Sequence, residues 1–282
     1  MGMPARVQRG TGDRSVHQGW APAIGDYRKW LVAAGRPSST ITLRLYQLRR
    51  FAGERRTGPW EQTEQGLVDW LSEQEWAAET RRSYRSALRG FYGWGHAAGR
   101  VERDPARLLP PIRPPQRRAR PTPELVLADA LTKADDRTRL IVLLAARQGL
   151  RRGEIARIHS RDVQKDLAGW SLLVHGKGDK ERLVPPHVDL AVMLRERGPG
   201  WVFPGQVDGH LSPRWVGDLV QRVLPDGWTT HTLRHRFATV AYHGSRDLLA
   251  VQELLGHSKP ETTRLYVQLP DDALRAAMRW AA

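Results

Sequence analysis

The sequence predicts a mainly α-helical protein with one small β-sheet, divided between an N-terminal helical bundle and a C-terminal mixed α/β domain. Three observations predict it. From residue 20 to residue 91 apolar side chains recur at helical spacing. Residues 105–123 then carry seven prolines and five arginines, a density that resists helix and sheet and reads as an extended linker. Beyond it, two strand-like runs flank a glycine- and lysine-rich turn before the chain returns to helices. A chain of 282 residues is long enough for two domains that each bury a core. A hydrophobic share of 40% with 11 tryptophans argues against disorder.

Residues 1–19 read as a flexible arm. They contain no apolar stretch of the kind a secretory signal needs. No apolar run anywhere approaches the roughly 20 residues that span a bilayer. The absence of cysteine excludes disulfides and thiolate metal sites, and fits a cytoplasmic protein.

The first predicted domain covers residues 20–108. Trp20, Ile24, Tyr27 and Leu31 share one helix face, and Gly35 can close that helix. Ile41, Leu45 and Leu48 mark a second helix, entered through Ser38–Thr40, which suit an N-cap. Leu67, Trp70 and Leu71 mark a third. Tyr84, Leu88 and Phe91 mark a fourth, beginning near Glu79 or Thr80 and ending before Gly99. Four short amphipathic helices make a small bundle. Arg81, Arg85 and Arg89 run along the fourth helix at i, i+4, i+8, either as an edge that contacts phosphates or as a plain solvated face.

Residues 109–122 form the linker, whose Arg117 and Arg118 suit a strap along a nucleic-acid backbone; a solvated spacer is the plainer alternative. The second domain covers residues 123–282. It opens at Thr122–Pro123–Glu124, a helix start with proline at the first helical position. Leu140, Leu143 and Leu144 belong to the next helix, which stops at Gly149, and Gly153-Glu154-Ile155 opens another helical turn. Trp170–His175 and Arg182–Val184 read as strands joined by the tip Gly176–Glu181. Helices are expected again at Val216–Val223, His231–His243, Asp247–Leu255, Thr262–Tyr266 and Asp271–Trp280.

The net charge of +15 is uneven. Residues 1–120 hold 22 Lys+Arg against 11 Asp+Glu, and residues 121–282 hold 23 against 19. That asymmetry points to a polyanion partner for the N-terminal half, above all nucleic acid. Part of the charge is compositional bias, since arginine outnumbers lysine 39 to 6.

The segment Thr230–Val267 sets His231, Arg234, His257 and Tyr266 in order, with Arg151 and Lys177 upstream. Breaking a phosphodiester without a metal requires a nucleophile, cations to stabilise the charge gathering on phosphorus oxygens, and a proton for the leaving oxygen. Arginine forks meet two non-bridging oxygens at once, which makes Arg151 and Arg234 the candidates. His231 and Arg234 share a helix face, although about 1.4 His-x-x-Arg pairs are expected by chance in this composition. The chain has two, the other being His243–Arg246. Two of the six lysines, Lys177 and Lys180, fall in one turn. Lys177 can enter a groove and protonate a departing 5′ oxygen, while Lys180 suits a solubilising tip. His257 either assists the tyrosine or simply faces a helix end. Tyr266 sits in a polar context, unlike Tyr27 and Tyr84, which read as core, and needs nearby cations and a base to act as a nucleophile.

These pieces resemble the tyrosine recombinases, also called the phage integrase family. The GLRxxE box of that family is matched by Gly149-Leu150-Arg151-Arg152-Gly153-Glu154, and its GKGxKxR hairpin by Gly176 through Arg182. The HxLRH box is matched by His231-Thr232-Leu233-Arg234-His235, and LLGHxxxxTTxxY by Leu254 through Tyr266, with the expected gap of nine from His257. The match spans about 120 residues, Ala145 to Tyr266. More loosely, Thr80 through Trp94 and Asp104-Pro105-Ala106 resemble the end of the family's SAM-like core-binding domain.

The resemblance implies that Arg151, His231 and Arg234 hold the scissile phosphate. Lys177 is then the general acid, His257 assists, and Tyr266 forms a 3′-phosphotyrosine. Glu154 matches a supporting acidic position. No cofactor, metal or ATP is implied. The partners implied are double-stranded DNA with core-type sites and three further copies of the chain in a tetramer that forms a Holliday junction. The tail, residues 267–282, resembles one that docks on a neighbouring protomer and without a partner folds back in cis, and an accessory directionality factor can join. The short stretch before Trp20 points to a two-domain enzyme without an arm-type DNA domain. Integration or excision of a phage or mobile element is preferred, with Xer-like dimer resolution as the alternative. Two rivals are an inactive DNA-binding regulator of the same fold and a type IB-like topoisomerase.

Overall fold

The computed structural model describes residues 18–113, 119–167, 169–176 and 180–256. The chain divides into two compact units with a boundary between Gln116 and Arg117, inside the proline-rich segment. The expected fold class is the one observed: mainly helical, with a three-stranded sheet confined to the second unit.

In the first unit α1 (Trp20–Ala33), α2 (Ser38–Ala52), α3 (Glu64–Ser72) and α4 (Ala78–Ala97) are the four expected helices. Their shared core is aromatic. Trp20, Phe51, Trp70, Phe91 and Tyr92 are fully buried, and Trp20 meets Phe51 edge-on with ring centres 5.4 Å apart. Buried indoles need partners for their N–H. Trp20 donates to the Thr57 carbonyl at 3.0 Å and Trp70 to Glu54 Oε2 at 2.6 Å. The entry to α2 differs from expectation. Pro37, in extended conformation, precedes the helix, so Ser38–Thr40 form its first turn and make no side-chain cap. A 3₁₀ turn, Pro59–Glu61, seats Trp60 flat against Phe91 at 5.2 Å, a feature that periodicity does not mark.

In the second unit α5 (Glu124–Lys133) precedes α6 (Asp136–Arg147), whose Leu140 to Ala146 are all buried. A helix apolar on every face belongs at the centre of a domain, and α6 packs against α10 (Thr230–Ser245) and α9 (Pro213–Val223). The single turn of α7 (Arg152–Ala156) follows Gly149. The sheet is antiparallel in the order β1 (Val163–Asp166), β2 (Gly169–His175), β3 (Glu181–Val184). Leu172 of β2 lies opposite Val163 and Val184, and all three are buried against the helices. The strand β1, the helix α8 (Val188–Arg195) and the strand β4 (Pro204–Val207) were not expected. Each is short, and the polar sequence of β1, VQKD, has none of the alternation that announces a strand. Among the described residues, α11 (Leu248–Leu255) ends the chain, capped by Asp247, whose carboxylate accepts from the N–H groups of Leu249 and Ala250. The helices expected at Thr262–Tyr266 and Asp271–Trp280, and the tail, lie outside the described residues. No described helix is long and apolar enough to cross a membrane.

Candidate phosphate-binding site

Two glycines with positive φ shape the site, and at each a Cβ would crowd a neighbouring side chain. Gly149 ends α6 with φ of 64°, and a Cβ there would come within 2.3 Å of the Phe237 ring. Gly256 ends α11 with φ of 61°, and a Cβ there would meet Arg182 Nη1 at 3.0 Å. The first releases the chain so that Leu150 is buried and Arg151 begins α7. The second brings the carboxyl end of α11 against β3.

Between them sits Glu154, 4% exposed. Its Oε1 accepts from Arg151 Nη1 at 2.7 Å and Arg182 Nη1 at 3.0 Å. Its Oε2 accepts from the Arg151 backbone N–H at 2.9 Å and Arg182 Nη2 at 2.9 Å. Arg234, 3% exposed, brings Nη1 to 3.8 Å of the same oxygen. Burial alone would raise the Glu154 pKa. The hydrogen bonds and charge of Arg182, with those of Arg151, override it and hold the carboxyl at about 2. Glu154 is therefore ionised across the neutral range, and three guanidinium charges surround one carboxylate, an excess of two positive charges.

The same three arginines close the end of α11. Helix ends leave carbonyls without intrahelical partners and carry partial negative charge. Arg182 Nε donates to the Leu254 carbonyl at 2.9 Å, Arg234 Nη2 to Leu255 at 2.5 Å and Arg151 Nη2 to Gly256 at 3.3 Å. Arg234 also donates to the Gly149 carbonyl. Three consecutive carbonyls are thus each taken by a different arginine, immediately before His257. Of the three side chains, Arg151 is the one open to solvent, at 42%.

His231 lies in the first turn of α10, exposed, and its ring centre is 4.3 Å from that of His235. Thr229 caps this helix by accepting from the N–H groups of His231 and Thr232. His235 is buried and accepts at Nδ1 from the Arg120 N–H at 3.1 Å, which puts its ring proton on Nε2. Burial, together with the neighbouring His231, lowers its pKa to about 4, so it stays neutral beside His231.

The structure thus brings Arg151, Glu154 and Arg234 together and places His231 one turn before Arg234. Lys177, His257, Tyr266, Arg117 and Arg118 lie outside the described residues. In the first unit, Arg81 Nη2 donates to the Gln74 carbonyl at 2.8 Å, and Arg85 donates twice to the Leu109 carbonyl, at 2.6 and 3.1 Å. Arg89 is exposed. Sequence reasoning assigned no role to Arg182, although it ends the GKGxKxR run. Its partners lie 28 and 72 residues away, so no local periodicity marks it. Arg157 was missed as well. Its Nη2 donates to the carbonyls of His175 and Gly176, which ties the end of β2 to the turn after α7.

Residues 122–272 match the phage integrase family model. The chain belongs to that family, the tyrosine recombinases. It is 32% identical to tyrosine recombinase XerC of Bradyrhizobium diazoefficiens over 221 residues, which is 68% of this chain and 69% of the relative. It is also 32% identical to tyrosine recombinase XerC of Pseudomonas fluorescens over 229 residues, 74% of this chain and 76% of that one. Solved structures with the same fold include a lambda integrase(75-356) dimer bound to a COC′ core site. That likeness has a TM-score of 0.71 at 20% identity and covers 86% of this chain and 96% of that one. XerH site-specific recombinase bound to difH substrate, a pre-cleavage complex, matches with a TM-score of 0.66 at 21% identity, over 90% and 84%.

Proposed function

We propose that this protein is a site-specific DNA recombinase that cuts and rejoins double-stranded DNA through Tyr266. The observation that carries the reading is the ring of Arg151, Arg182 and Arg234 on Glu154, built directly onto the end of α11. An excess of two positive charges in a largely water-excluded setting suits a pentacoordinate phosphorus whose oxygens gain charge on attack. Arg151, being open, meets the phosphate, with His231 and Arg234 beside it. The Tyr266 oxygen bonds to phosphorus as the bond to the 5′ oxygen breaks. Lys177 gives that oxygen its proton, while His257 assists the tyrosine. A 3′-phosphotyrosine results. A 5′ hydroxyl of a partner strand then attacks it and releases the tyrosine, so that bond energy is kept and neither ATP nor metal is consumed. Four copies exchanging strands pairwise through a Holliday junction, on core-type sites in the cytoplasm, complete the reading, with the tail, residues 267–282, passed between neighbours. Arg89, Arg117 and Arg118 are proposed to lie along the DNA backbone, while Arg81 and Arg85, on the same helix as Arg89, are taken up by the Gln74 and Leu109 carbonyls.

The XerC relatives support a second reading of the biological task, Xer-like resolution of dimers in place of the integration or excision of a mobile element. The sequence of the preferred site separates the two: an attachment-like inverted repeat flanking the gene favours the mobile element.

The chemistry is tested on a nicked duplex that traps the covalent intermediate. Wild type is expected to form a protein–DNA adduct. Tyr266→Phe is expected to bind the duplex and form none. Adducts formed by that variant would remove Tyr266 as the nucleophile, and binding without adducts in the wild type would leave a DNA-binding regulator. Relaxation of a plasmid without any recombination site, with no recombinants on any substrate, would favour a topoisomerase.

A further inference from the structure

We propose that Arg182 is a positioning residue of strand cleavage: from β3 it locks Glu154 and the carboxyl end of α11 into one geometry. The inference rests on the recombinase reading above. Three donor groups of this side chain serve two partners, the planar fork taking both oxygens of Glu154 and Nε taking Leu254. Arg182 is 13% exposed, against 42% for Arg151. It therefore faces the carboxylate, and Arg151 is the arginine left to meet DNA. Arg151 depends on the arrangement twice. Its side chain shares Glu154 Oε1 with Arg182, and its Nη2 reaches the Gly256 carbonyl.

Two further observations fix Arg182 in this role. Gly256 packs on the guanidinium so closely that a Cβ would lie 3.0 to 3.2 Å from Nη1, Cδ and Cζ. Any outward movement of the arginine opens the space under the residue that precedes His257. In addition, β3 is paired with β2 in the register Val174 with Arg182 and His175 with Glu181, so Arg182 stands at the base of the β2–β3 hairpin. One side chain thus joins the hairpin, the Glu154 turn and the end of α11. Lysine cannot replace it, because a single ammonium cannot span a carboxylate and a carbonyl with a planar fork.

Two arms test this on the full chain. The first uses hydrogen–deuterium exchange without DNA. Arg182→Lys is expected to raise exchange at the amides ending α11, Leu254 to Gly256, by about tenfold, with α1 to α4 unchanged. The second uses single-turnover cleavage of the nicked duplex. Arg182→Lys is expected to slow adduct formation about 100-fold while the Kd for DNA changes by no more than about threefold. Arg182→Gln is expected to behave the same way, and Arg182→Lys, which keeps the charge, serves if that variant unfolds. Unchanged exchange at the end of α11, or a cleavage loss no larger than the loss of DNA binding, overturns the proposal. If the wild type forms no adduct, it is the recombinase reading that fails, and the exchange arm alone decides whether Arg182 holds the helix end.

Discussion

Arginine is used in opposite ways in the two units. In the first, the described arginines act separately, on neutral groups or in single solvent-facing ion pairs such as Arg82 with Glu79 and Arg100 with Asp26. Arg44 donates to the Ser83 carbonyl at 2.9 Å, Arg85 to that of Leu109, and Arg50 lies 5.0 Å from the ring centre of Trp76. In the second, three arginines converge on one buried carboxylate and one helix end. A lone guanidinium on a backbone carbonyl is an anchor whose loss is local. A cluster held by a single anion is cooperative, because removing the anion leaves like charges facing one another. The difference teaches which residues the fold can lose singly and which act as a unit.

The largest expected effect follows from that contrast. Glu154→Gln keeps the shape and removes the charge, leaving three guanidiniums without a counter-ion. A loss of about 3 to 5 kcal/mol is expected at neutral pH, read by urea unfolding of the full chain. A loss below about 1 kcal/mol would mean that the cluster is not a unit.

Acidification probes the same cluster without mutation. The Glu154 pKa is lowered from 4.5 to about 2, so its stabilising contribution is complete above about pH 4.5 and is lost as pH falls towards 2. The His235 pKa is lowered from 6.5 to about 4. Between those values the unfolded chain binds a proton that the folded chain refuses, so stability again falls as pH falls. Both signs agree. Stability is expected to decline from pH 6.5 to about 4 through His235 and from about 4.5 towards 2 through Glu154, by on the order of 3 kcal/mol for each group. In His235→Asn the upper part of the decline is expected to vanish and the lower part to remain, which urea titrations across this pH range would measure.

The glycines extend the contrast to the backbone. Gly35 and Gly149 share a positive φ, 63° and 64°. Nothing lies within 4 Å of a Cβ at Gly35, whereas Gly149 faces the Phe237 ring. Gly35→Ala is expected to cost about 1 kcal/mol, from φ alone. Gly149→Ala is expected to cost about 2 to 4 kcal/mol, because overpacking is added to the strain. Equal losses in thermal unfolding would show that the Phe237 ring yields freely.

What was legible in the sequence divides along the same line. The spacing of Trp20, Ile24, Tyr27 and Leu31 announces α1 because a helix repeats locally, and the GLRxxE and HxLRH boxes announce Arg151 and Arg234 because each box is contiguous. Convergence is not local. Arg182 reads as a strand residue and the last position of the GKGxKxR run, and nothing near it names Glu154 or Leu254. The short β1 and α8 are held by burial of Val163, Leu190 and Leu194 in the common core, a tertiary cause that a window of a few residues does not contain.

The smallest expected effects separate two arginines one helical turn apart. Arg85 and Arg89 share a face of α4, and the sequence treats them alike. Arg85 donates to the Leu109 carbonyl and ties α4 to the segment that leaves the first unit, while Arg89 is exposed. Burial lowers the Arg85 pKa, as expected of a cation drawn partly out of water towards a carbonyl. Arg85→Ala is expected to lower stability by about 1 kcal/mol through the lost anchor. Arg89→Ala is expected to leave unfolding unchanged and, if the residue meets a phosphate, to reduce the salt slope of DNA binding by about 1. A variant of Arg89 that destabilises the chain, or one of Arg85 that changes only the salt slope, would reverse the two roles and show that the edge of α4 works as one surface.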